Sequence, residues 1–516
     1  MTGGVNSEEF QALKKRAIAD LSHCQTDPRR QRPRLAPATT MTQLPRLLLL
    51  LSLTALSPTT TLLAQTVLKK DVAKIFAEIC SNCHGKGLEG AQAPSLLDDV
   101  WVHGGDDASI ATVIRDGALE KGMPAFHSLM TEGDIRTMVI YIREQRASYS
   151  RKRVTKTVPE GIITAGGERF RIETVADNLA TPWSIAFLPD GRMIFTEKPG
   201  RVRLVENGKL LPTAIKGTPA VRDEGQGGLL AITLHPQFAE NGWIYLAYSD
   251  PAKNEAGKDV SLTTIVRGRI KDGAWTDQQT IWRAPLEFYK PGGGVHFGCR
   301  MAFDGQGYLF FSHGERGSGP DAQELHRPNG KIHRIHDDGR IPADNPFVHT
   351  PGAFPSIWTC GNRNPQGLDF DPRTGILWES EHGPRGGDEL NIIRRGRNYG
   401  WPVITYGMNY DGSAMTDRTA QEGMEQPITY WTPSIAVCGI DFYEGKAFPH
   451  WTGNLFVTAL AQQELRRIVI DGEKVVSQEV ILKDIGRLRD VASGPDGSIY
   501  VAVNDPGRII RLVPGK

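Results

Sequence analysis

The chain has 516 residues, and 60 Lys and Arg against 59 Asp and Glu leave a net charge of +1. That balance argues against a nucleic-acid or acidic-membrane partner, and the length points to two or three units of a soluble, globular protein. The 56 glycines among many short apolar runs lean toward a turn-rich β fold, while 6 cysteines are too few for a disulfide scaffold.

Residues 1–40 carry basic clusters at Lys14, Lys15 and Arg16 and from Arg29 to Arg34, with no regular periodicity. They read as a disordered or untranslated extension, with Met41 as the true start. From Met41 the chain runs through Arg46, an apolar stretch from Leu47 to Leu56, polar Ser-Pro-Thr residues and Leu62-Leu63-Ala64. This is the layout of a secretory signal peptide over 41–64, cleaved near Ala64, which places the mature chain in the periplasm or outside the cell. The apolar stretch is too short to span a bilayer, so no transmembrane segment is expected in the mature chain.

Val72, Ile75, Phe76 and Ile79 recur at helical spacing and lead into Cys80-Ser81-Asn82-Cys83-His84. C-x-x-C-H is the attachment pattern of a c-type haem: each thiol adds to a vinyl group, and the His supplies an axial nitrogen. A zinc site would need a second ligand pair nearby, and no other Cys is close along the chain. Covalent attachment of this kind agrees with export. Met123, in Gly122-Met123-Pro124-Ala125-Phe126, is the expected sixth ligand, with His127 and Met130 as rivals and core filling as the plainer role. Thr131 and Asp134 resemble a capping box that opens a helix with Ile135, Met138, Val139 and Ile142 on one face. In this order of parts, residues 66–147 resemble a small class I cytochrome c, which implies an all-α electron carrier with no substrate chemistry of its own.

Residues 148–165 are polar and basic and read as a tether. Beyond them a pattern of apolar segment, Pro/Asp/Gly turn and second strand recurs, starting at Phe187, Leu234, Met301, Leu368, Ile440 and Val491. Six hairpin signals over about 350 residues predict a six-bladed all-β propeller across 166–514 rather than a β-sandwich or several small β domains.

Four glycine-rich stretches depart from the blade pattern and suggest loops where the backbone approaches a ligand closely. They are Gly225–Leu230, Gly292–Arg300, Gly361–Gly367 and Glu381–Glu389. With these motifs in order, the chain from about 165 to 514 resembles the soluble PQQ-dependent aldose sugar dehydrogenases of the glucose/sorbosone dehydrogenase family, quinoproteins that carry calcium. The resemblance makes His296, in Val295-His296-Phe297-Gly298, the general base, and assigns quinone contacts to Gln226, Arg363, Asn364, Ser434, Arg487 and Arg489. It gives the carbonyls of Gly383 and Pro384 to a calcium that joins protein to cofactor, and Glu389 with the Tyr399 backbone to a second, structural calcium.

The charge logic agrees: PQQ is a tricarboxylate, so its site needs fixed cations, and calcium suits carbonyl and carboxylate oxygen. The implied reaction oxidises an aldose at C1 to a lactone and passes electrons to the haem, then to another cytochrome or a terminal oxidase. The alternative is a non-enzymatic sugar-binding propeller tethered to a cytochrome. One departure stands out. The family carries a Lys after the Ala-Leu of the fifth blade, whereas this chain reads Ala459-Leu460-Ala461-Gln462-Gln463. Either Gln462 or Arg466 substitutes, or the quinone sits differently. Cys299, Cys360 and Cys438, an odd three in an oxidising compartment, suggest one disulfide and one free thiol.

Overall fold

The structure, a computed structural model, describes residues 71–151, 156–291 and 294–515. The expected signal peptide and the 1–40 extension lie outside the described residues. No described helix is long and apolar enough to cross a membrane.

The first domain is helical. Helix α1 (Val72–Ile75) passes through a π turn (Phe76–Cys80) into α2 (Ser81–His84), which presents the Cys83-His84 end of the haem motif. Helix α3 (Asp107–Asp116) and the long α4 (Glu132–Arg151) complete it. The capping box forms as expected: Thr131 N donates to Asp134 Oδ2 (3.1 Å) and Asp134 N to Thr131 Oγ1 (3.2 Å). Val72, Phe76, Ile135, Met138, Val139 and Ile142 are buried together, as helical spacing requires.

Six antiparallel sheets follow. The first strand of each blade lies innermost: Pro182–Phe187, Leu229–Leu234, Met301–Phe303, Pro365–Phe370, Val437–Phe442 and Leu488–Ser493 for blades 1 to 6. All six predicted hairpins fall between the first and second strands of successive blades. The ring closes in blade 6, where Glu168–Ala176 from the start of the propeller pairs with Gly507–Pro514 from its end.

The tether is shorter than 148–165. Helix α4 runs on to Arg151, which donates to the Ala461 carbonyl, and Ile163–Ala165 is already a strand paired with Glu168–Phe170. The expected disulfide is absent too: Cys299, Cys360 and Cys438 are all buried and unbridged. Cys299 precedes the innermost strand of blade 3 while Cys360 ends its outermost one (Ile357–Cys360). Three strand steps of about 4.8 Å exceed the reach of a disulfide. Cys438 belongs to blade 5, with all of blade 4 intervening. Burial pushes the Cys299 thiol up to about 12, so it behaves as an inert apolar group.

Phe170, on the closing strand, is fully buried and meets Trp451 edge-on at 5.5 Å. Phe170→Ala is expected to cost the propeller about 3–5 kcal/mol, read as a drop in its denaturation midpoint with the haem domain's helical signal retained.

Candidate active site and comparisons

The N-terminal ends of the innermost strands, the loops before them and the loop after the second strand of blade 4 converge on a cavity of about 240 Å³ whose walls include Trp183, Gln226, Phe297, His382, Arg487 and Arg489. These residues come from five different blades or the loops before them, so only ring closure assembles the site.

His296 stands beside this cavity. Its backbone N–H donates to Gln226 Oε1 (2.8 Å), and its Nδ1 is hydrogen-bonded to Glu315. A carboxylate only accepts, so Nδ1 carries the proton and Nε2 keeps its lone pair. Burial holds His296 below the range of an ordinary imidazole, with the Glu315 hydrogen bond pulling the other way and Arg363 adding to the depression. His296 (φ 56) and Cys299 (φ 76) both occupy the left-handed region, a backbone strain of about 1–3 kcal/mol each that this loop sustains. Gly292 and Gly293, just upstream, lie outside the described residues.

Arg489 donates to Gln366 Oε1 (2.9 Å) and to Cys438 Sγ (3.0 Å), and with Arg487 it forms one cavity wall, as their alternation predicts. Asn364 accepts from Gly298 N (3.1 Å) and leaves its Nδ2 buried without a hydrogen-bond partner among the described residues. Arg363 donates through Nη1 to the His382 (2.9 Å) and Gly383 (2.6 Å) carbonyls and also leaves Nε unpartnered. His382 Nε2 likewise has no hydrogen-bond partner among the described residues. Burial, then the charges of Arg489 and Arg363, hold this imidazole far below its usual range. Unpartnered buried donors and clustered cations around one cavity fit a polyanionic cofactor.

Ser434 lies against the 384–387 loop. Its hydroxyl donates to Pro384 O (2.7 Å) and accepts from Gly386 N (2.9 Å) and Gly387 N (3.2 Å). Through these three bonds it holds the 384–387 loop in place. The Gly383 and Pro384 carbonyls each accept one protein hydrogen bond and retain a second lone pair suited to calcium. Glu389 lies across from Glu381, and Glu379 across from Asn391, on one face of the blade 4 hairpin. Burial raises all three carboxyls, and Glu379 Oε1 and Asn391 Oδ1 have no hydrogen-bond partner among the described residues. That surplus of buried hard oxygen fits a cation at Glu389, although no three His, Cys, Asp or Glu side chains among the described residues converge as metal ligands. The Tyr399 N–H bonds the Cys360 carbonyl and its hydroxyl the Ile392 carbonyl, which fixes the backbone of residue 399.

Of the two proposed stand-ins for the missing lysine, Arg466 is paired with Glu464 (2.6 Å), and neither it nor Gln462 lines the cavity. Glu315 and His382 were not singled out by their sequence. Glu315 lies 19 residues from His296, and no spacing rule joins them. His382 sat unassigned within a glycine-rich stretch.

In the haem domain, Cys80 and Met123 pack half-buried against one apolar cluster with Leu96, Leu97 and Trp101. Met130 is buried in the core and His127 is exposed, bonded to the Arg115 carbonyl (3.1 Å), so Met123 is the better placed of the three. Ile79, Val100, Val102, Leu119 and Leu129 add exposed apolar surface of the kind a porphyrin covers. Burial raises the Cys80 thiol to about 11.

A family profile described as Glucose / Sorbosone dehydrogenase matches residues 179–511. The chain belongs to this family. A second profile, Cytochrome C oxidase, cbb3-type, subunit III, matches residues 68–142, so the N-terminal unit is a cytochrome c domain. The aldose sugar dehydrogenase YliI of Escherichia coli is 42% identical over 351 residues, covering 66% of this chain and 92% of that protein. The crystal structure of the E. coli soluble aldose sugar dehydrogenase in its apo form superposes with a TM-score of 0.63 at 41% identity, over 67% of this chain and 99% of that one. The PQQ-bound aldose sugar dehydrogenase of Streptomyces coelicolor gives 0.55 at 27% identity, over 67% and 98%. The cbb3-type oxidase subunit CcoP of Cereibacter sphaeroides is 37% identical over 81 residues, 14% of this chain and 27% of that protein.

Because the Glu315 hydrogen bond raises the His296 pKa, Glu315→Gln is expected to move the imidazole titration to still lower pH. Histidine NMR across an acid titration reads this directly; an upward shift would contradict the assigned contact.

Proposed function

We propose that the chain is a periplasmic, PQQ-dependent aldose dehydrogenase that oxidises the C1 hydroxyl of aldoses to lactones and delivers electrons to its own c-type haem. The observation that carries this reading is the neutral, Glu315-held His296 beside a cavity walled by Arg487, Arg489 and Gln226. Membership of the family and the PQQ-bound relative support it.

The residues divide the work. Arg487, Arg489, Gln226, Arg363 and Asn364 would hold the tricarboxylate, and the Gly383 and Pro384 carbonyls a calcium beside it. Glu389 and the Tyr399 carbonyl would hold the structural calcium. When bound, PQQ supplies the electrophilic carbonyl that takes the hydride from C1. His296 accepts the C1 hydroxyl proton at Nε2, and Glu315 keeps Nδ1 protonated and stabilises the imidazolium that forms. The strained loop fixes the ring, and Arg363 and Arg489 add positive potential that favours the growth of negative charge in the cavity. Cys80 and Cys83 would bind haem covalently, and His84 and Met123 would supply ligands to its iron. The haem held there would supply a one-electron outlet for the two electrons of each sugar, toward a downstream cytochrome or oxidase.

Reconstitution of the full chain with calcium and PQQ, followed through the haem absorbance as aldoses are added, tests the reading. Haem reduction by at least one aldose is expected, and its absence with every aldose refutes the proposal. His296→Ala should lower turnover by about 10²-fold or more, the contribution of a positioned general base.

A further inference from the structure

The loop that carries His296 is held by one short segment of the same blade. Residues 314–317, which follow the second strand of blade 3 (Tyr308–His313), lie against residues 294–298. A side chain on Gly314 would collide with the His296 carbonyl, and one on Gly298 would come within 2.8 Å of Gly314 N. Glu315 takes the His296 ring at Nδ1. Arg316 takes the chain on either side of it: Nη1 donates to the Val295 carbonyl, and the guanidinium lies over the Phe297 ring at 3.6 Å. Phe297 in turn lines the cavity.

Arg316 is itself anchored from behind. Nη2 donates to Ser261 Oγ (3.3 Å) and Ser261 O (3.4 Å), on the Asp259–Lys271 strand of blade 2, so the fork ties the loop to the neighbouring blade. Only 6% of the residue is exposed, and burial pulls its guanidinium down to about 10, which leaves a cation at neutral pH. A desolvated cation over an aromatic face is worth more than an exposed one, and the planar fork adds directed hydrogen bonds that a lysine cannot copy. Both His296 (φ 56) and Arg316 (φ 59) occupy the left-handed region. Such a conformation persists only where the surroundings over-determine it. The Val295, Phe297 and Ser261 contacts of one side chain supply that constraint.

We propose that Arg316 is the positioning residue of the base: by holding Val295 and Phe297 it fixes the backbone on both sides of His296 and keeps the imidazole against Glu315, beside the cavity. Arg316 is not part of the cavity wall and acts through His296 alone. The catalytic side of this proposal rests on the aldose dehydrogenase reading above; the clamp on the loop does not.

Hydrogen exchange of the full-length chain, read by mass spectrometry on a peptide containing residues 294–299, tests the clamp without substrate; the thermal midpoint monitors folding. The His296 and Gly298 amides in that peptide are hydrogen-bonded to Gln226 and Asn364, so loosening the loop exposes them. Arg316→Met is expected to speed their exchange about tenfold or more while the other blades exchange as in wild type. With calcium and PQQ, the same variant is expected to lower kcat for aldoses about tenfold or more and to change KM less than about twofold, as a displaced base would. Arg316→Lys, which keeps the charge without the fork, is expected to fall between the two, and it carries both comparisons if Arg316→Met does not fold. Wild-type exchange at 294–299 overturns the proposal, as does acceleration spread evenly over the blades or a loss that appears in KM alone. A wild-type chain that oxidises no aldose overturns the functional reading instead, and the exchange result still decides the clamp.

Discussion

At the centre of the propeller, Arg300 and Asp490 form an ion pair at 2.7 Å, both nearly excluded from solvent. Such a pair is tolerable only if the remaining polar atoms are also satisfied. Here Arg300 Nε donates to Gln366 O (2.6 Å), Nη2 to Arg489 O (3.1 Å), and the guanidinium lies over Trp183 at 4.2 Å. Asp490 Oδ2 takes the Ile185 N–H (2.8 Å). Four blades, 1, 3, 4 and 6, therefore meet on two charges. Gln366, Arg489 and Trp183, all in the cavity wall, take their positions from that junction. Burial still raises the Asp490 carboxyl against the pull of Arg300, which marks how little water reaches the centre.

The same economy of space governs the join between domains. A tether would hold the cytochrome c domain near the cavity by effective concentration alone. The chain does more, because α4 continues past the expected domain end and lays one stripe across the propeller. Met408, from the long blade 4 insertion, is fully buried in the haem domain's own apolar cluster, and Val72 N donates to the Gly412 carbonyl (3.0 Å). Residues 382–386 run from the cavity wall at His382, through the carbonyls expected to hold calcium, to the Arg385–Glu144 pair. Within five consecutive residues the chain passes from the cavity wall to the cytochrome c domain.

Much of this was readable in the linear chain because it is local. Hairpin turns depend on a few neighbouring residues, so six of them declared six blades. The capping box at Thr131 and Asp134 and the alternation of Arg487 and Arg489 are likewise short-range rules. Contacts made by ring closure were not readable. Glu315 has no local mark of its role, and Arg300 and His382 stood in glycine-rich stretches where only their neighbours drew notice. Nor does the motif around Ser434 show that its hydroxyl holds the 384–387 loop through three hydrogen bonds.

The sequence by itself determined the C-x-x-C-H motif and the propeller, since each rests on residues adjacent in the chain or on a repeat. Tertiary structure alone decided what stands beside them: Glu315 on His296, Asp490 on Arg300, and Arg151 on Ala461 across a separation of 310 residues. The physical reason is the same in each case. A buried polar group must find its partner wherever folding places one, and sequence distance does not constrain that choice.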